Sequence, residues 1–254
     1  MRISIITATY NSEKTIKDTL LSIERQSHND IEYIIIDGGS TDRTIHLINR
    51  LSTRVSKIIS EPDKGIYDAL NKGINAATGE VVGFLHSDDF FAYDDVLKNI
   101  VEEFESKNCD AIYGDLEYVS QYNVEKCLRV WKSGIFSRHK LMLGWMPPHP
   151  SFYMKRSCYI KYGCFSLDYN IAADYNSILR YLFKNEVVLS YMPRVLIKMR
   201  VGGLSNRSVR TMAKKSLEDI RIMKNNGIPW PLAIVCKNLS KIPQFFRRNY
   251  HAKN

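Results

Sequence analysis

The sequence predicts an α/β protein, a mainly parallel sheet flanked by helices, with a basic amphipathic extension at its C terminus. Three observations carry this. Short apolar runs alternate with stretches of helical periodicity, the signature of strand–helix–strand units. Several of those runs end on Tyr or Asp: Tyr10, Asp37 and the pair Asp88-Asp89. The charge is segregated: residues 207–254 hold 11 Lys and Arg against two acids, so the net charge of +9 is all C-terminal and residues 1–206 carry 25 charges of each sign.

The elements follow in order. "ISIITATY" (3–10) reads as a buried strand, and Asn11 or Ser12 caps a helix with Ile16, Leu20 and Ile23 on one face. "IEYIIID" (31–37) is the next strand, and "GGSTD" leads to a helix capped by Ser40. "VSKIIS" (55–60) is a third strand. A helix over about 66–77 repeats Ile66, Leu70, Ile74 and Ala77, and Gly79 ends it before the strand "VVGFLHSDD". A helix through Leu97, Ile100, Val101 and Phe104 leads into the strand "DAIYGDLEYV"; Asp94-Asp95 stand where caps are expected. Beyond residue 120 the reading is a strand in "VEKCLRVW", a loop entering a strand in "MPPHPSFYMKR", a helix in "AADYNSILRYLFK", and one or two strands in "VVLSYMPRVLIKMRV". The boundary falls at Gly202-Gly203 or near Arg207, giving a body of 1–206 and a C-terminal segment of 207–254. Pro229, Pro231 and Pro243 break that segment into short amphipathic pieces.

Several classes are excluded. The five cysteines form no C-x-x-C pair and leave one over, which suits a reducing compartment. No signal peptide is expected from "ISIIT", and "PLAIVC" is far short of a bilayer span. "TATYNSEKT" after the first strand has neither the G-x-G-x-x-G of a dinucleotide binder nor the phosphate loop of a nucleotide hydrolase. The Gly-rich, basic loop expected of a sugar-nucleotide pyrophosphorylase is also missing there. The tail charge comes with no nucleic-acid reading module, so no nucleic acid is expected as partner.

In a parallel sheet, ligands gather outside the C-terminal strand ends where strand order reverses. Two adjacent carboxylates at such an end, Asp88 and Asp89, need a counter-charge. Hard cations such as Mn²⁺ or Mg²⁺ take oxygen ligands, often one or two carboxylates plus substrate phosphates. An Asp pair alone also fits a solvated turn.

Longer motifs decide between these readings. "SIITATYN", "YIIIDGGSTDRT", "SEPDKGIYDALNKGINAATGEVVGFLHSDD", "MPPHPSFYMKR" and "AADYN" occur in the order found in family-two glycosyltransferases of the GT-A fold. The chain resembles that family, the group holding many bacterial polysaccharide and lipopolysaccharide transferases, over about residues 1–205. The resemblance implies a Rossmann-like catalytic domain and an inverting glycosyltransferase. Its donor would be a nucleotide-sugar, a UDP-sugar favoured, and its acceptor a saccharide or a lipid-diphosphate-linked saccharide. The competing reading is a non-catalytic nucleotide-sugar-binding module.

The resemblance also implies roles. Ala8, Tyr10 and Asp37 hold base and ribose, and Asp63 and Lys64 lie along the nucleotide. Asp88 meets ribose or donor sugar, and Asp89 is the ligand for Mn²⁺ or Mg²⁺. Asp174 is the general base, although Ala173 stands where an acidic partner is usual. His149 positions acceptor or diphosphate. Asn71 reads as packing beneath the site, and His86 as a strand-end His packed on a neighbour. The basic tail, with aromatic and aliphatic residues between its Lys and Arg, suits an anionic membrane surface; the alternative is that it packs on the catalytic domain with its charges solvated. The expected location is cytoplasmic, peripheral on the inner face of the cell membrane.

Overall fold

The computed structural model describes residues 1–202 and 209–245. The expected boundary at 206/207, like Phe246, Arg247 and Arg248 of the tail, lies outside the described residues. The strands β1 (Ile3–Thr9), β2 (Ile31–Asp37), β3 (Val55–Ser60) and β4 (Val81–Phe84) alternate with α1 (Ile16–Glu24), α2 (Thr44–Leu51) and α3 (Ile66–Ala76). Then come β5 (Phe90–Phe91), α4 (Val96–Ser106), β6 (Ala111–Val119), β7 (Cys127–Trp131), α5 (Arg138–Met142), β8 (Phe152–Lys155) and α6 (Arg156–Tyr162). The chain closes with α7 (Ala173–Leu179), β9 (Leu189–Arg200), α8 (Val209–Asn225) and α9 (Trp230–Leu239). A π-helical turn, Arg180–Lys184, extends α7.

The strands form one sheet in the order β3-β2-β1-β4-β8-β6-β9-β5, with β7 paired to β6. Pairings among β1 to β4 are parallel, as is β6 with β9; β8, β5 and β7 run antiparallel to their partners. β2 and β4 lie on opposite sides of β1, so strand order reverses there and a crevice opens beyond Thr9.

Period-two alternation sorts the strand residues onto two buried faces. Ile3, Ile5, Tyr33 and Ile35 pack with Leu20, Ile23, Leu97 and Ile100 of α1 and α4. Ile6, Ile34 and Ile36 belong to the opposite core with Leu70, Ile178, and Ile222, Met223 and Ala233 of the C-terminal helices. Gly73 lets α3 lie close on β1, since a Cβ there would meet Ile6 Cγ2 at 2.4 Å. The C-terminal helices therefore complete the core beneath α7.

Some local expectations differ. Neither Asn11 nor Ser12 caps α1; the helix starts at Ile16, and the Ser12 carbonyl accepts the Thr15 and Ile16 amides. Ser40 does not cap α2 but turns back to Asp37. Asp95 occupies the N-cap position of α4, but its carboxylate accepts the Ser27 hydroxyl instead of a helix amide. β4 stops at Phe84, and the Asp89 amide closes a turn on the His86 carbonyl. "VVLSYMPRVLIKMRV" contains one 12-residue strand.

Candidate active site at the switch point of the sheet

Three loops are tied together beyond β1. Asn11, with φ 47°, accepts the Thr41 amide on its side-chain oxygen (2.9 Å), and its own amide donates to Ser40 Oγ (2.8 Å). The Ser12 hydroxyl meets the Ser87 hydroxyl at 2.9 Å, joining the β1 loop to the turn after β4. Tyr10 stands at the mouth, 61% exposed, and Ala8 is buried below it.

Asp37 is fully buried and heavily committed. Its Oδ2 accepts the Gly39 and Ser40 amides (3.1 and 2.9 Å) and the Ser60 hydroxyl (2.6 Å), and its Oδ1 accepts the Ser40 hydroxyl (2.5 Å). Such a carboxylate holds the turn in shape. Asp63 is better placed to face a ligand. Its Oδ1 accepts the Gly65 amide at 2.7 Å, while Oδ2 fills the space above Gly38, 2.7 Å from where a Cβ would sit and beside the Tyr10 ring. Lys64 is exposed, and its amide donates to Asp68 (3.0 Å). Lys72 braces this loop through Glu61 (2.8 Å) and the Pro62 carbonyl (3.0 Å).

At the end of β4 the two carboxylates are unlike. Asp88 is partly exposed. Asp89 is fully buried, neither side-chain oxygen has a hydrogen-bond partner among the described residues, and burial holds its carboxyl well above the usual range, with the Asp88 charge adding to it. Arg200, at the end of β9, acts against this, first through its backbone amide and then through its charge, but its guanidinium is spent elsewhere. It donates to the Asp88 carbonyl (2.9 Å) and pairs with Asp18. The charge of Asp89 is therefore poorly compensated.

A second group faces this turn. His149 stacks on Phe84 (5.1 Å between ring centres), meets Phe165 edge-on (5.3 Å) and lies 6.0 Å from the His86 ring. Burial pushes His149 down to about 4, so it is a neutral imidazole at pH 7, and its Nε2 has no partner among the described residues. Burial lowers His86 as well, against the opposing charges of Asp88 and Asp174. Asp174 also acts on His149 through space, which brings Asp88, His86, His149 and Asp174 into one electrostatic neighbourhood.

Asp174 sits in the first turn of α7 and is partly exposed. The Tyr67 hydroxyl, from α3, donates to the Ile171 carbonyl (2.7 Å) and reaches Asp174 Oδ1 at 3.2 Å. Burial, then the Asp174 charge, raises Tyr67 well above its ordinary value, so it stays a donor. Asn71 clamps the Phe165 backbone, donating to its carbonyl and accepting its amide, each at 2.9 Å. Asn71 thereby ties α3 to the Phe165 segment.

Sequence reasoning missed Tyr67, Arg200 and Ser87. Tyr67 carried a faint signal, a Tyr beside the helix face that faces the sheet. Arg200 had none, because its partners lie 112 and 182 residues away.

The crevice at the switch point, with carboxylates gathered at the strand ends around it, marks an α/β protein with a ligand site there. The chain matches the family described as Glycosyl transferase family 2 over residues 4–165, and it belongs to that family. It is a glycosyltransferase. It is 30% identical over 211 residues, 81% of this chain and 80% of the relative, to a protein of Mycobacterium bovis named PGL/p-HBAD biosynthesis glycosyltransferase. It is 33% identical over 183 residues, 70% and 68% of the two chains, to an uncharacterized glycosyltransferase of Mycobacterium tuberculosis. Among solved structures it resembles S. aureus TarS 1-349 in complex with UDP-GlcNAc, with TM-score 0.69, 17% identity, and 100% and 74% of the two chains covered. It also resembles the mannosyltransferase PcManGT from Pyrobaculum calidifontis in complex with GDP-Man and Mn²⁺, with TM-score 0.63, 17% identity, and 94% and 73% covered. The fold is GT-A.

Proposed function

We propose that the chain transfers a hexose or N-acetylhexosamine from a UDP-sugar to a saccharide or lipid-diphosphate-linked saccharide, with inversion at the anomeric carbon, in building a surface polysaccharide. The observation that carries this reading is one electrostatic neighbourhood: Asp88 at the end of β4 and Asp174, held by Tyr67, both act on His86, and Asp174 acts on His149 as well. Neighbouring folds hold UDP, UDP-GlcNAc and GDP-Man, which supports a nucleotide-sugar donor.

In this reading Tyr10 stacks on the base and Asp63 Oδ2 accepts its N–H. Asp37 serves the nucleotide through the turn it ties. Lys64 meets phosphate, and Asp88 meets ribose or donor sugar. Mn²⁺ or Mg²⁺ fits Asp89 on donor chemistry, since its two oxygens have no hydrogen-bond partner among the described residues and Arg200 offsets its charge only in part. Among the described residues no cluster of three or more His, Cys, Asp or Glu could cage a metal. That suits an ion completed by substrate phosphates. Bound there, the cation would offset charge on the departing diphosphate.

Asp174 takes the proton of the acceptor hydroxyl as that oxygen bonds to the anomeric carbon. The bond from that carbon to the diphosphate oxygen breaks, and the electron pair leaves with the nucleoside diphosphate. A single base opposite the leaving group gives one displacement and therefore inversion. His149, neutral and unpartnered at Nε2, orients the acceptor or the diphosphate by hydrogen bonding. The deciding experiment is a donor panel with purified protein and Mn²⁺, read as released nucleoside diphosphate. Turnover confined to GDP-sugars would overturn the donor, and absence of turnover with every sugar would overturn the reaction.

A further inference from the structure

α9 is built inside out. Its inward face presents Ala233 and a lysine, Lys237, both buried, with Ile234 half-buried against the core beside them. Its outward face presents Leu232, Val235 and Leu239, each more than half exposed, and the following turn adds Ile242. Positions 232, 235 and 239 have the i, i+3, i+7 spacing of one helical stripe. A helix folded only for water would place these side chains the other way round.

The buried lysine is paired. Its ammonium donates to Asp219 Oδ1 at 2.8 Å and lies 3.4 Å from the centre of the Tyr175 ring. Both acids of α8 are thereby turned inward, because Glu218 accepts the amides of Asn170, Ile171 and Ala172. The charges that α8 leaves in solvent are basic: Arg210, Lys214, Arg221 and Lys224 are all exposed. Lys224 stands 4.9 Å over the Trp230 ring, which joins the basic helix to the start of the apolar stripe. Lys215 and Lys237, after burial, help push Lys241 down to about 8, a sign of crowded positive charge.

We propose that the outward stripe of α9, with the basic face of α8 beside it, docks on an anionic lipid bilayer. Leu232, Val235, Leu239 and Trp230 enter the boundary between headgroups and acyl chains, and the flanking Lys and Arg meet the headgroup phosphates. No helix among the described residues is long and apolar enough to cross a membrane, so the contact is peripheral. It extends the reading above by placing a lipid-linked acceptor at the same surface, but the contact itself needs neither donor nor acceptor.

Deleting the C-terminal segment cannot test this, since Ile222, Met223 and Ala233 belong to the core. Exposed side chains can. The full chain is sedimented with vesicles of phosphatidylcholine alone and of equal parts phosphatidylcholine and phosphatidylglycerol. We expect binding only to the anionic vesicles, about tenfold weaker or more after the triple change Leu232→Ser, Val235→Ser and Leu239→Ser, and weakened again by salt or by Lys224→Glu with Arg221→Glu. Unchanged melting of each variant establishes that the fold survives. Equal binding to both vesicle types, or full binding by the triple variant, overturns the proposal. So does a wild-type dimer in sedimentation velocity that the triple variant converts to monomer, because the stripe would then be covered by a second copy. Donor turnover on a soluble acceptor is read separately, so failure of the catalytic reading leaves the vesicle result intact.

Discussion

The Glu218 carboxylate accepts the Ala172 amide at 2.9 Å, two residues ahead of Asp174. It also accepts the amides of Ile171 (2.9 Å) and Asn170 (3.1 Å). A C-terminal acid thus fixes the approach to the helix that carries the proposed base. Glu218→Ala leaves three amides without that partner and should destabilise the fold by about 2–4 kcal/mol. With the approach loosened, kcat should fall about tenfold while UDP affinity holds within about twofold. Urea unfolding and calorimetry with UDP measure the two effects separately, and Glu218→Gln should recover part of each.

Asp174→Asn keeps the size of the side chain and its contact with Tyr67 but cannot take a proton. Nucleotide binding should be unchanged and kcat should fall by roughly 10²–10⁴. A kcat within a few-fold of wild type would move the base elsewhere, with Asp168 the next acid upstream.

Asp89→Asn separates stability from turnover. It removes a buried carboxyl whose oxygens have no hydrogen-bond partner among the described residues, so the variant should be more stable than wild type by about 1–3 kcal/mol. Turnover should fall about 10²-fold, and Mn²⁺ with UDP should raise the melting temperature of wild type but not of the variant. Full activity of the wild type in excess chelator would remove the metal from the reading.

His149 gives stability a pH dependence. Its folded value is about 4 against an unfolded value of about 6.5. Below pH 6.5 the unfolded chain binds a proton that the folded chain refuses, so stability is full above about 6.5 and is lost as pH falls toward 4. The loss is on the order of 3 kcal/mol, and His86, shifted the same way, adds to it. His149→Gln should flatten the profile in that window, as urea midpoints at pH 7, 5.5 and 4.5 (about) would record.

Asp63→Asn should weaken UDP by about tenfold, the effect of losing one charge-assisted hydrogen bond, and leave the melting temperature nearly unchanged. Asp37→Asn should do the reverse, lowering the melting temperature through the Gly39, Ser40 and Ser60 donors it disturbs. Calorimetry with UDP, GDP and dTDP completes the test, and a tenfold preference for GDP would refute the uracil assignment.

Much of the fold was legible because both faces of β1, β2 and β4 are buried, so runs such as Ile34-Ile35-Ile36 announce themselves. Helix starts were less legible. Ser40 looks like a cap in sequence, but its hydroxyl finds the stronger acceptor in Asp37, three residues back. The segments proposed to bear the site were legible because strand ends are fixed points in this architecture. What the neighbouring side chains do there was not, since it depends on distant partners. Asp37 reads as a free carboxylate until Ser60, Gly39 and Ser40 are seen to occupy it. The tail's basic, apolar composition was plain. That α9 turns a lysine inward is visible only once Asp219 and Tyr175 are placed beneath it.

Gly38 and Asp63 compete for one volume, since a Cβ at 38 would lie 2.7 Å from Asp63 Oδ2. An acid can reach that space from the first loop or from the second, but not from both at once. The two positions should therefore drift as a pair during divergence, an acid at one accompanied by a small residue at the other. A chain that moved its acid across the gap would present the same negative charge beside Tyr10 while changing which loop must be ordered before a nucleotide can settle.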